Sequence, residues 1–158
     1  MIRNLYSFIF VIMLLACSEK RMDNSIPYSR IELKNRTFNY FWKLADSTNF
    51  QIPDRYPTLT FSSIAATGFG LSAYIAGIEN KNITRAEGGD RVKKTLQILW
   101  DLPQGPETTG VSGHKGFFYH FLNLNDARRY KSVELSSIDT GLLMAGVLSC
   151  MSYFDDEK

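Results

Sequence analysis

The chain has 158 residues, enough for one ordinary domain and too few for two. Its net charge is +2, and its 18 Lys and Arg residues are scattered among 16 Asp and Glu. The basic stripe of a nucleic-acid binder is therefore absent, no acidic partner is implied, and an aromatic content of 13% suits a packed core and a sugar site equally.

In chain order, Arg3 supplies a positive start, and Leu5 to Leu15 form an apolar run broken only by Tyr6 and Ser7. The run is far shorter than the roughly 20 residues of a membrane-spanning helix, so residues 1–16 read as a signal peptide. It ends in Leu14-Leu15-Ala16-Cys17, which resembles the lipobox of bacterial lipoproteins, where cleavage precedes the Cys and the Cys is acylated. An ordinary secretory signal with a chance Cys is the plainer alternative. Ser18, in place of an Asp that would favour inner-membrane retention, points to the outer membrane of a Gram-negative bacterium. Residues 17–28 then form the lipidated Cys and a polar tether, and 29–158 a single domain. With Cys17 lipidated, Cys150 has no partner, and its apolar surroundings suit a small buried residue. No zinc-ligand spacing occurs, and neither a metal nor a cofactor is expected.

The spacing predicts a first helix from about Ser29 to Ala45, with Ile31, Phe38, Phe41, Trp42 and Ala45 near one face. Asp46-Ser47-Thr48-Asn49 stops it, and the two prolines of Ile52-Pro53-Asp54-Arg55-Tyr56-Pro57 keep the next stretch extended. A second helix starts at Ser62 or Ser63 and runs to about Ile78, apolar on all sides, with Gly68, Gly70 and Gly77 permitting close approach. A third opens on Thr84-Arg85-Ala86-Glu87, a capping-box pattern, and carries a stripe of Val92, Leu96, Leu99 and Trp100. Gly88 and Gly89 weaken its first turns by roughly 1 kcal/mol each relative to Ala. Residues 101–133 form a long connection in which Phe117 to Phe121 read as a short strand, with Phe117, Tyr119 and Phe121 on one face. A fourth helix runs from near Ser136 to about Phe154, again apolar on every face.

Amphipathic and all-apolar helices thus alternate, and both apolar ones begin Ser-Ser-Ile and soon reach Thr-Gly, a weak internal echo of a helical hairpin. Two apolar helices cannot be covered by two amphipathic ones, whereas a closed ring of hairpins would cover them. The expected fold class is therefore all-α, a ring left open after its second hairpin, with a long loop carrying a short strand.

Six blocks resemble a known family. They are Thr37-Phe38-Asn39-Tyr40-Phe41-Trp42, Ile52-Pro53-Asp54-Arg55, Phe61-Ser62-Ser63-Ile64-Ala65-Ala66-Thr67-Gly68-Phe69-Gly70-Leu71, Leu102-Pro103-Gln104-Gly105-Pro106, Val111 to Leu122, and Glu134-Leu135-Ser136-Ser137-Ile138-Asp139-Thr140. Together they resemble the bacterial glucoamylase-like family that includes endo-β-1,2-glucanases. The resemblance implies an (α/α)6 barrel, of which this chain supplies about two of six hairpins and is a truncated part. It further implies hydrolysis of glucan, β-1,2-linked and with inversion in the family's characterised members. The chain departs from the family pattern at Gly88-Gly89-Asp90, at His114, and at Asn123, which stands where an Asp is expected.

Glycoside hydrolysis calls for two carboxylates across the scissile bond. Glu134 and Asp139 flank the start of the fourth helix, at the end of the barrel where loops meet inner helices, and are the candidate catalytic residues. Asp139 has an equal claim as the acidic member of a Ser136-x-x-Asp139 capping box. Candidate substrate contacts are Asp54 and Arg55, which are equally an ion pair of the loop, with Tyr119 and His120, whose polar tips suit a cleft, and Arg128. The partners implied are a glucan chain and, through lipid on Cys17, a membrane; nucleic acid is excluded. A non-catalytic glycan-binding lipoprotein and a gene remnant without activity are the competing readings.

Overall fold

The computed structural model describes residues 28–155, so the signal peptide, Cys17 and nearly all of the tether lie outside the described residues. The first helix, α1 (Arg30–Lys43), begins where Ser29 accepts a hydrogen bond from the Glu32 N–H at 3.1 Å. It stops where the Asp46 carboxylate accepts from the N–H groups of Thr48 and Asn49 at 2.8 and 2.9 Å. Phe38 is buried and Phe41 and Trp42 partly so, but Ile31 is 73% exposed. The expected apolar face is therefore shorter than the helix, because the first two turns of α1 project beyond the core.

A strand absent from the sequence reading follows. β1 (Phe61–Ser63) leads directly into α2 (Ile64–Glu79). Of the two candidate caps, Ser63 caps α2, accepting from the Ala66 N–H at 3.3 Å, while Ser62 donates its hydroxyl to the Leu122 carbonyl at 3.2 Å. The third helix, α3 (Arg85–Asp101), opens on a complete capping box. Thr84 accepts from the Glu87 N–H at 3.2 Å, and the Glu87 carboxylate accepts from the Thr84 N–H at 2.7 Å. Thr84→Ala is expected to cost about 0.5–2 kcal/mol in urea denaturation. The Glu87 carboxyl is held below its usual range by the Thr84 backbone N–H and then by the Thr84 hydroxyl. A depressed carboxyl stabilises the fold above the unfolded-state value and loses that contribution as pH falls through the folded one, so the difference between wild type and variant should narrow in acid. Val92 and Leu99 form the buried stripe of α3, but Trp100 is 85% exposed. It stands about 100° round the helix from Leu99, too far to share its face.

The long connection folds into β2 (Gly113–His114), β3 (Phe117–Phe118) and β4 (Phe121–Asn123) before α4 (Ser137–Tyr153), which Ser136 caps. β3 returns antiparallel on β2, and β4 pairs antiparallel with β1 in the register Phe61 to Asn123, Ser62 to Leu122 and Ser63 to Phe121. The expected single strand is thus two, with different partners, and Phe117, Tyr119 and Phe121 share no face. Phe117 is exposed, Phe118 and Tyr119 are buried, and Phe121 is partly buried. Leu102, Val111, Phe118, Tyr119, Leu122 and Ala127 join the main core, so the connection is packed rather than loose.

α2 and α4 form the central contact. An added Cβ on Gly68 would lie 2.5 Å from the Leu142 carbonyl oxygen, and one on Gly146 would lie 2.2 Å from the Gly68 carbonyl oxygen. The two backbones therefore touch. α1 packs on α2 by placing Phe38 against Gly77, and Ile78 of α2 packs against Gly88 of α3. Gly88 is thus a contact surface as well as a weak helix former. α4 is apolar on every face but buries only one stripe, Thr140, Leu143, Gly146 and Cys150, while Ile138, Leu142, Met144, Leu148 and Met151 are exposed. Burial pushes the Cys150 thiol up to about 11, as suits an unreactive core cysteine.

Candidate active site

Backbone hydrogen bonds stitch the 118–120 segment between the N-terminal ends of the two central helices. The His120 carbonyl accepts from the Ile64 N–H, the first residue of α2, at 3.3 Å. The His120 N–H donates to the Glu134 carbonyl at 3.0 Å, and the Ser136 N–H donates to the Phe118 carbonyl at 3.0 Å. The Phe118 N–H donates to Thr140 Oγ1 at 3.0 Å, inside the first turn of α4. His120 thus sits where two helix N-termini converge, a place whose backbone dipoles favour negative charge.

Two carboxylates occupy that place. His120 Nδ1 lies 2.8 Å from Glu134 Oε1, and His120 Nε2 lies 3.8 Å from Asp139 Oδ1. The ring is stacked on Phe121 with centroids 3.8 Å apart. The Glu134 side chain is 66% exposed and that of Asp139 15%, so Glu134 stands at the rim and Asp139 deeper. The Glu134 carboxyl is held below the usual carboxylate range by its own backbone N–H first and by the His120 imidazole second.

The helix-end role of Asp139 is only half realised. Ser136 Oγ accepts from the Asp139 N–H at 3.1 Å, and the Ser136 hydroxyl donates to Asp139 Oδ2. The Ser136 N–H goes to Phe118, however, not to the Asp139 carboxylate, so the reciprocal bond that Glu87 makes to Thr84 is missing here. One Asp139 oxygen is left facing His120.

Asp54 and Arg55 form an ion pair at 2.6 Å. The Arg55 guanidinium lies over the Phe61 ring, 5.3 Å from its centroid, and Phe61 packs against Phe121 at 4.8 Å and Tyr130 at 4.7 Å. A run of aromatic rings therefore leads from Arg55 to His120. Tyr130 carried no signal in the sequence, and neither did the meeting of Phe61 with Phe121, since partners so far apart in the chain show no local spacing. Tyr119 is buried, with the Arg129 guanidinium 4.3 Å above its ring. Arg128 reaches the Ser112 hydroxyl at 3.4 Å. An apolar surface groove lies elsewhere, between α3 and α4; Val92, Leu96, Trp100, Val147 and Met151 line much of it, and no carboxylate lines it. Among the described residues no cluster of three or more His, Cys, Asp or Glu is arranged to hold a metal ion.

No model of a known protein family matches the chain. An exo β-1,2-glucooligosaccharide sophorohydrolase (non-reducing end) of Parabacteroides distasonis is 28% identical over 129 residues, which are 80% of this chain and 17% of that protein. The crystal structure of a β-1,2-glucanase from Parabacteroides distasonis matches with a TM-score of 0.67 and 25% identity, over 80% of this chain and 18% of that one. That of a candidate glucoamylase from Bacteroides uniformis matches with a TM-score of 0.67 over 83% of this chain and 32% of that one; at 24% identity it shows the fold alone. The homologues and structural neighbours are thus glucoamylase-like and β-1,2-glucanase proteins at low identity, as the sequence blocks imply, and the chain spans about a sixth of the curated relative's length.

Proposed function

We propose that this protein is a glycoside hydrolase of glucan, with β-1,2-glucan as substrate, acting by a two-carboxylate inverting mechanism. The observation that carries the reading is the pair of carboxylates, Glu134 and Asp139, held on either side of one imidazole where two helix N-termini meet. It stands within a stretch similar to proteins named for β-1,2-linked glucan. Asp54, Arg55 and the aromatic rings beside them offer hydrogen bonds and apolar faces to a sugar chain, with Arg128 as a further contributor and buried Tyr119 supporting the site from the core.

The reading extends to architecture. α1 with α2, and α3 with α4, are about two of six hairpins of an (α/α)6 barrel. Inversion needs carboxyls roughly 6.5–9.5 Å apart with a water between; the His120 ring stands between Glu134 and Asp139, so one of them is one partner and the other partner comes from a further hairpin. The 158 residues alone are then inactive. The test is proton NMR of β-1,2-glucan digested by the protein carrying its further hairpins. The first product should be the α-anomer. A β-anomer would overturn inversion, and binding without turnover would leave the non-catalytic glycan-binding lipoprotein ahead. Turnover by the 158-residue chain itself would remove the need for a distant carboxylate.

We also propose acylation at Cys17 and anchoring to the outer membrane, motivated by the Leu14-Leu15-Ala16-Cys17 tetrad. Among the described residues no helix is long and apolar enough to cross a membrane. Intact mass of detergent-extracted protein should show a chain beginning at Cys17 with added acyl groups; an unmodified chain in the soluble fraction would contradict it.

A further inference from the structure

The two carboxylates beside His120 are not equivalent. Glu134 is exposed and acceptor-only when ionised, so its 2.8 Å contact requires the hydrogen on Nδ1. In a neutral imidazole the other nitrogen is then bare. That nitrogen, Nε2, is the one facing Asp139 Oδ1 at 3.8 Å, and Asp139 already has its other oxygen held by the Ser136 hydroxyl. The ring cannot easily turn away, since it is stacked on Phe121 and its backbone is bonded on both sides. Beside it, β1 and the first turn of α2 bring only uncharged residues, and Arg55 lies beyond the Phe61 ring.

We propose that Glu134 is a positioning residue that fixes the Nδ1–H tautomer of His120, so that Nε2 accepts a proton from Asp139, the carboxylate that faces substrate. Asp139 takes that proton from the attacking water, whose O–H bond breaks as its oxygen bonds to the sugar carbon; the new Asp139 O–H bond then breaks as an Nε2–H bond forms. An imidazolium results, with one N–H toward each carboxylate, and Asp139 is again a carboxylate. The role given to Asp139 rests on the hydrolase reading; the tautomer does not. A separation of 3.8 Å is long for transfer, and such contacts tighten when substrate binds.

The chain has two histidines, so histidine-selective nitrogen-15 NMR of the full chain, with His114→Gln as assignment control, reads His120 directly. Neutral His120 should be mostly the Nδ1–H form. Glu134→Ala, a change at an exposed position, should invert this to mostly Nε2–H, while Asp139→Asn should leave it Nδ1–H. An Nε2–H majority in the unaltered chain, or no change in Glu134→Ala, overturns the proposal. In the protein carrying its further hairpins, Glu134→Ala and His120→Gln should lower kcat on β-1,2-glucan by similar factors, and the double variant should be no worse than either. Independent, multiplying losses would refute action as one unit. If no glucan is turned over, the hydrolase reading fails while the tautomer measurement still decides the role of Glu134.

Discussion

Asp139→Asn is expected to keep the fold and to cut turnover of β-1,2-glucan by about 10²–10⁴-fold, the usual loss when a general acid or base is removed. The amide preserves the shape of the side chain and can still accept from the Ser136 hydroxyl. What it loses is the charge near the N-terminus of α4, a matter of roughly 0.3–1 kcal/mol. Asp139→Ala removes the acceptor as well and should lower stability further. The missing reciprocal bond to the Ser136 N–H argues that capping is not the main work of this side chain. Asparagine at this position with full turnover, alongside an alanine variant weakened by about 0.5–2 kcal/mol, would show instead that Asp139 serves only the helix end. Glu134→Gln belongs in the same series, because an amide at the rim can present an N–H to Nδ1 and so favour the wrong tautomer.

Gly146→Val should prevent cooperative folding. A Cβ at this position meets the Gly68 carbonyl oxygen at 2.2 Å, and both partners are backbone, so no side chain can swing aside. The helices must separate, which uncovers Leu71, Leu143 and Cys150 together. Overpacking typically costs about 1–3 kcal/mol, and a contact between main chains belongs at the top of that range or above it. A domain with only about 5–15 kcal/mol in hand cannot absorb much more. Gly141 provides the control on the same helix. Nothing lies within 4 Å of its added Cβ, so Gly141→Ala should stabilise by roughly 1 kcal/mol through helix propensity alone. Equal urea midpoints for Gly146→Ala and Gly141→Ala would show that α2 and α4 are not in backbone contact.

The helix starts were legible because their chemistry is local. Ser29, Ser63, Thr84 and Ser136 each cap within three residues, and such a bond leaves its mark in the sequence. The strands were not, since two or three residues cannot show an alternation and their partners lie as far away as Phe61 from Asn123. Ile31 was misplaced for a related reason: periodicity identifies an apolar position but not how far the neighbouring element extends. At the site, Glu134, Asp139 and His120 could each be named singly. Their meeting depends on the bridge between Tyr119 and Leu135, which brings the loop alongside the start of α4, and no spacing announces it.

The position of Trp100 has a spectroscopic consequence. The chain contains two tryptophans, and they lie in opposite surroundings. Trp42 is packed against Tyr74 with the Arg91 guanidinium 4.3 Å over its ring, whereas Trp100 stands 85% exposed on the rim of the apolar groove between α3 and α4. The folded chain should therefore emit as two populations, a shielded one and a red-shifted one open to iodide quenching. Whatever comes to cover that groove will announce itself as a blue shift of the second alone, which makes the native protein its own optical reporter without a label.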